Sequence, residues 1–177
     1  LGKETVQNML VFRFANPSFE PIWNRNYIDH IQITAAEEIG IGTRAAFYEQ
    51  TGVVRDMVQN HLLQLLCMVA MEPPLSYDAK ALRDETTKIL EAVAIPEGNA
   101  AMSAVRGQYG AASIAGPRVP GYGEEPGVAE GSMTATFAAL KLSLENWRWS
   151  DVPIYLRTGK RLARSLTEVA IHFKPTP

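Results

Sequence analysis

One cysteine, Cys67, is all that this 177-residue chain offers for covalent crosslinking, which excludes an intrachain disulfide. It sits within an apolar segment, so a buried inert thiol is expected, in keeping with a reducing, cytoplasmic setting. Long runs of like charge are missing as well. With 17 Lys and Arg against 19 Asp and Glu, a net charge of −2 and no basic tail, the chain lacks the footprint of a nucleic-acid binder. Any anion it holds is expected to be small and gripped by a few placed cations. No apolar run is long enough to span a bilayer and no signal peptide is visible, so no membrane partner is expected. Neither His30, which precedes the alternation of a strand, nor His172, on the polar phase of another, has a metal-ligand partner at usable spacing, and no metal is expected. There is no internal repeat. What remains, at 46% hydrophobic and 20% charged, is the composition of a soluble globular protein long enough for one domain with a proper core.

The stretch Val53 to Met71 organises the rest. From Met57 onward apolar side chains recur every three or four residues (Val58, Leu62, Leu65 or Leu66, Val69), which predicts a buried helix stopped by Pro73-Pro74. Asp56, Gln59, Asn60, His61 and Gln64 crowd its leading end. Polar groups so placed must be satisfied internally or presented to a ligand. A lone histidine on an apolar helix is more often a hydrogen-bonded structural residue than a base, and Asp56 reads equally well as a simple N-cap.

Ahead of this helix, Glu4 to Phe14 predicts another, ended by Asn16-Pro17, and Ile28 to Thr34 predicts a strand with Ile31 and Ile33 on one side. Glu37 and Glu38 lie just past the strand, where loop residues often meet ligands. Gly40-Ile41-Gly42-Thr43-Arg44-Ala45 superficially matches a dinucleotide fingerprint. It is rejected because Ala35-Ala36-Glu37-Glu38 separates it from the strand and no strand-helix-strand unit with a parallel sheet surrounds it. After the central helix, Ser76 to Ala94 predicts surface helices with Leu82, Ile89, Leu90 and Val93 inward, and Val105 to Tyr109 a short strand. Gly110 to Gly131 is rich in Gly and Pro and predicts a long loop, a lid, a partner surface or a disordered segment. The last third alternates with period two: Thr134 to Leu144 with Thr136, Ala138, Leu140, Leu142 and Leu144 on one face, then Pro153 to Arg157, then Leu166 to Phe173. Helices early and strands late predict an α+β domain with a largely antiparallel sheet and helices packed on one face.

Between the last two strands, Arg157-Thr158-Gly159-Lys160-Arg161-Leu162-Ala163-Arg164 places four cations in eight residues. It is no Walker loop, because Ile154 stands at the first glycine and Arg161 where a hydroxyl should follow the lysine. A solvated charged turn and a clamp for a small anion both fit it.

Blocks along the whole chain settle on one resemblance. Leu1-Gly2-Lys3-Glu4, Phe12-Arg13-Phe14-Ala15-Asn16, Pro21-Ile22-Trp23-Asn24-Arg25, Gly52 through Gln64, Gly107-Gln108-Tyr109, Thr134 through Ala139 and Gly159-Lys160 stand in the order found in glucose-6-phosphate dehydrogenases. The chain resembles the substrate-binding and dimerisation domain of that family over residues 1–177. In that family a separate N-terminal Rossmann domain holds the coenzyme. The chain begins without methionine, within the family's Asp-His-Tyr-Leu-Gly-Lys-Glu segment, and ends just after a strand pattern, so a truncated fragment is expected.

The resemblance implies an oxidoreductase that oxidises D-glucose 6-phosphate at C1 to 6-phosphoglucono-1,5-lactone with NADP, in the oxidative pentose phosphate pathway. It further implies a homodimer or homotetramer. A non-catalytic sugar-phosphate-binding or oligomerisation module is the alternative. By the resemblance, His61 is the general base on the C1 hydroxyl, a task suited to imidazole, and is oriented by an aspartate of the segment before Leu1 rather than by Asp56. Asp56 and Glu37 correspond to residues that bond sugar hydroxyls, and Lys3 and Lys160 to lysines that contact the substrate. The family places a second basic residue five positions after the Gly-Lys pair. Here Ser165 stands there and Arg164 one position earlier, so Arg164, Ser165 or a shifted loop would take that part. Some members bind a second, structural NADP; Arg157 matches one of its cations, but Leu166 and Ala170 replace others, and no such site is expected.

Overall fold

The structure, a computed structural model, describes residues 3–96, 99–113 and 116–176, with side chains in the first helix from Asn8 onward. In chain order it forms α1 (Lys3–Phe14), a 3-10 turn, β1 (Ile28–Ala36), α2 (Ala45–Val53), a π-type segment (Val54–Leu62) and α3 (Leu63–Ala70). Then follow α4 (Ala79–Ala92), β2 (Val93–Ala94), α5 (Ala100–Ser103), β3 (Ala104–Gly107), β4 (Ala112–Ser113), β5 (Arg118–Val119), a 3-10 turn at Tyr122–Glu124, β6 (Phe137–Leu144), β7 (Ile154–Gly159) and β8 (Leu166–Phe173).

Among the described residues six strands make the main sheet, ordered β2-β6-β7-β1-β8 with β3 also paired to β6. Period-two alternation builds it as the sequence predicts. Ile31 and Ile33 of β1 and Ile154 and Leu156 of β7 are buried, on the face where the π segment packs against both strands. Tyr155 and Arg157, one step out of phase, are exposed. Most pairings are antiparallel, and the α+β class with helices on one face holds. The exception is β1 with β7, parallel from Ile31 opposite Ile154 to Ala36 opposite Gly159. The helical layer and five strands lie between them in sequence, long enough a connection to reverse direction.

Several expectations shift. His30 lies within β1, directly opposite His172 on β8, and the two rings stack at 4.1 Å. The long loop carries the small β4–β5 hairpin and a 3-10 turn. Leu90 is 45% exposed, whereas its neighbour Ile89 is buried. One helical step turns a side chain by about 100°, and the narrow strip of α4 on α3 takes Ile89 instead. Cys67 is fully buried, and burial pushes its thiol up to about 11.

The far end of the central helix is closed by side chains. A helix leaves its last carbonyls without intrahelical donors. Here Arg13 Nη1 donates to Met68 O at 3.1 Å and Met71 O at 2.8 Å. Trp23 Nε1 donates to Val69 O and Trp149 Nε1 to Ala70 O, each at 2.8 Å. All three donors are fully or nearly fully buried.

Candidate functional site

The near end of the same helix is built differently. Gly52 sits at φ 58°, ψ 177°, inside what is otherwise α2. That left-handed backbone suits glycine and breaks the helix there. The next amide, Val53 N, leaves the helix ladder and donates to Ala135 O at 3.0 Å. When the helix resumes it is π-type: Leu63 N donates to Val58 O, five residues back. The altered register matters for two side chains. On an α-helix residues five apart point about 140° away from each other, whereas the wider i to i+5 turn narrows that angle between Asp56 and His61.

Asp56 is not the N-cap that the sequence allowed. Val53 takes that position and no side chain caps the segment. The Asp56 side chain is instead 13% exposed and 3.8 Å from the Arg44 guanidinium. His61 is half-buried and makes no side-chain hydrogen bond among the described residues. Gln59, Asn60 and Gln64 face solvent.

The parallel contact supplies the second part of the site. Because Ala36 is paired with Gly159, the residues that follow, Glu37 and Lys160, emerge side by side. Their side chains form an ion pair at 2.5 Å, and Lys160 is only 5% exposed. Backbone bonds lock both positions: Glu37 N to Gly159 O, Lys160 N to Thr136 O and Leu162 N to Glu37 O, each at 3.0 Å. The Lys160 ammonium lies 5.5 Å from the centroid of the Tyr48 ring, close enough for attraction to the π face. Tyr48 is fully buried and its hydroxyl has no hydrogen-bond partner among the described residues. Burial first, then the negative groups that include Asp56 and Glu37, pushes that phenol well above its ordinary range. One buried ring on α2 thus ties the π segment to the loops at the strand ends.

Other expected residues stand further out. Ser165 Oγ accepts from Glu38 N at 3.0 Å and so fastens one loop to the other. Arg164 is exposed and makes no hydrogen bond or ion pair among the described residues. Lys3 falls in the first turn of α1, and its side chain lies outside the described residues. Arg157 Nη2 reaches Thr34 Oγ1 at 3.4 Å on the open face of the sheet. Sequence reasoning passed over Tyr48, Tyr109, Glu125 and Arg161, which surround the Glu37–Lys160 pair and its loops. Two of them gave a signal, Arg161 inside the cationic turn and Tyr109 in the Gly107-Gln108-Tyr109 block.

The Gly40 to Ala45 stretch is the last part of the turn between β1 and α2, with Ala45 already helical. A Cβ on Gly40 would meet Glu125 Oε1 at 2.7 Å and Arg161 Nε at 2.8 Å. Protein side chains already fill the space that a pyrophosphate would need there.

The fold defines an α+β domain in which a Glu37–Lys160 ion pair stands at the ends of two parallel strands, against which a π-type segment carrying Asp56 and His61 packs. Residues 10–177 match the family described as glucose-6-phosphate dehydrogenase, C-terminal domain, and the chain belongs to that family. It is 53% identical over 178 residues to a glucose-6-phosphate 1-dehydrogenase of Aggregatibacter actinomycetemcomitans, covering 100% of this chain and 36% of that protein. The identity to one from Treponema pallidum (strain Nichols) is also 53% over 178 residues, covering 100% of this chain and 35% of that protein. Among solved structures, a glucose-6-phosphate 1-dehydrogenase from Mycobacterium avium superposes with a TM-score of 0.86 at 42% identity, over 97% of this chain and 36% of that one. A glucose-6-phosphate dehydrogenase in complex with its substrate glucose-6-phosphate gives 0.88 at 37% identity, over 99% and 35%. The chain therefore spans about a third of the length of the relatives it matches.

Proposed function

We propose that this chain is the substrate-binding and dimerisation domain, residues 1–177, of a longer enzyme that oxidises glucose 6-phosphate at C1 to 6-phosphoglucono-1,5-lactone with NADP as hydride acceptor. The observation that carries the reading is the part-buried Glu37–Lys160 pair at the ends of β1 and β7, the two strands against which the π segment with Asp56 and His61 packs. A half-buried imidazole with no described partner is available to take the C1 hydroxyl proton as general base. Asp56 and Glu37 supply acceptors for sugar hydroxyls. Lys160, with Lys3 from the start of α1, supplies ammonium donors for the phosphorylated sugar. Arg164 and Ser165 flank this group, and Arg164, exposed and uncommitted among the described residues, is the one with freedom to reach an incoming phosphate.

The Gly40 turn is filled by Glu125 and Arg161 and offers no cradle for a pyrophosphate; the proposal assigns the nicotinamide coenzyme to a Rossmann domain outside these residues. Assembly as a homodimer or homotetramer and a cytoplasmic location complete the proposal. Among the described residues no helix is long and apolar enough to cross a membrane.

The test is coenzyme reduction driven by glucose 6-phosphate, followed by absorbance of the reduced nicotinamide, in the full-length protein and in residues 1–177 alone. Turnover is expected in the former and none in the latter. Turnover by the isolated chain would overturn the division of labour, and none in the full-length protein would overturn the activity itself.

A further inference from the structure

Arg161, next to the buried lysine, adopts φ 55°, one of two non-glycine residues with a positive φ among the described residues. A left-handed turn ordinarily takes glycine or asparagine. Here the conformation is held from three sides. Arg161 N donates to Ile39 O at 3.2 Å. Its guanidinium Nη2 reaches Glu125 Oε1 at 3.3 Å and lies 5.9 Å from the Tyr109 ring centroid. Glu125 is itself 8% exposed. The same carboxylate oxygen accepts from Tyr109 Oη at 3.0 Å, and Tyr109 Oη accepts from Ile41 N at 3.3 Å. Gly40 has no side chain in the space where Glu125 and Arg161 meet.

One buried carboxylate therefore interlocks three segments that are remote in sequence: the loop after β1, the loop after β7, and the Gly- and Pro-rich stretch. That stretch has a separate anchor on α2, since Tyr122 and Ser132 both donate to Glu49. Losing Glu125 would release its hold on the lysine loop without freeing the stretch as a whole. A lysine carries four flexible side-chain torsions, and a fixed backbone at its neighbour decides where the ammonium is offered.

We propose that Arg161 and Glu125 are positioning residues for substrate binding. Their ion pair, steadied by the Tyr109 hydroxyl, clamps the lysine loop so that Lys160 meets the sugar phosphate in a preset place. The inference rests on the function proposed above and makes the long loop a working part of the site rather than a spacer.

The experiment compares Arg161→Met, Arg161→Lys and Glu125→Gln in the full-length protein by steady-state kinetics and thermal melting. Arg161→Met and Glu125→Gln are expected to raise KM for glucose 6-phosphate about tenfold, as for loss of one buried charged contact. Turnover should stay within about twofold and KM for the coenzyme should not move. Arg161→Lys, which keeps the charge, should recover most of the loss. An unchanged KM for glucose 6-phosphate overturns the proposal. So does a uniform fall in melting temperature with no kinetic split, or an Arg161→Lys variant as defective as Arg161→Met. Should Glu125→Gln fail to fold, Tyr109→Phe removes a single hydroxyl and is expected to raise KM about threefold; no change there overturns it equally. A wild-type protein without turnover condemns the functional reading, whereas an active enzyme indifferent to these substitutions condemns this inference alone.

Discussion

The two ends of the central helix solve the same problem in opposite ways. At the C-terminal end of α3, an arginine and two tryptophans donate to the carbonyls of Met68, Val69, Ala70 and Met71. Every one of those bonds is buried, so the end is a fixed joint between α1, the turn that carries Trp23 and the segment before β7. At the leading end no side chain caps the π segment, and its polar groups remain half-buried or exposed. A stretch optimised for stability would have satisfied them. The difference separates the part of the helix that holds the molecule together from the part that is free to bind.

The sharpest way to break this contrast is His61→Asn in the full-length protein. Turnover with glucose 6-phosphate is expected to fall roughly a hundredfold to ten-thousandfold with KM little changed, the usual range for a lost general base. The melting curve should barely move, because surface-side substitutions outside a packed network cost within about 0.5 kcal/mol. Unchanged turnover would remove His61 from the chemistry and leave the leading end as mere surface.

Next in size comes Arg13→Met at the opposite end. It strips the donor from Met68 O and Met71 O and leaves Glu20 with one arginine partner, Arg148, in place of two. A destabilisation of about 2–4 kcal/mol is expected by denaturant titration, and a loss under about 0.5 kcal/mol would show that the joint is not structural. Trp149→Phe keeps most of the aromatic bulk and loses only the donor to Ala70 O. It should cost about 1–2 kcal/mol while leaving KM alone; a kinetic effect larger than the stability effect would blur the two ends together.

The smallest effect is at Cys67, in the turn of α3 just before the capped end. Its thiol is raised from the ordinary 9.0 to about 11 by burial, so the folded state keeps the proton that the unfolded chain gives up. Its contribution to stability is complete below pH 9.0 and is lost as pH rises toward about 11. Native protein should resist a thiol-directed reagent at pH 8 to 9 and react on unfolding. Rapid reaction of the native form would mean that the helix opens locally more readily than its packing implies.

Much of this was legible in the residues. Period-two alternation marked β6, β7 and β8, and Leu166–Phe173 is recovered to the residue, because a half-buried strand must alternate. Val58, Leu62, Leu65, Leu66 and Val69 are all buried, and the unbroken run from Leu65 to Ala70 shows α3 buried on every side. Other features had no local signature. The apolar spacing of Val58 and Leu62 is compatible with either an α- or a π-register, and the choice rests on the kink at Gly52 and the bond to Ala135 from a distant segment. The pairing of Glu37 with Lys160 depends on the parallel register of β1 and β7, which no spacing along the chain can encode. Leu90 looked inward because a leucine on a helix usually is, but which of two adjacent apolar residues wins depends on where α3 lies.

Sequence alone determined the class of fold, the family resemblance and the residue types from which a sugar-phosphate site could be made. Those depend on local periodicity and on blocks of residues read in order. Tertiary structure decided that a glutamate and a lysine 123 positions apart share one part-buried pair, and that a loop carboxylate holds the lysine turn in place. Each of these is a distance between remote segments, and such distances are set by how a sheet and a helix pack rather than by the neighbours of any residue in the chain.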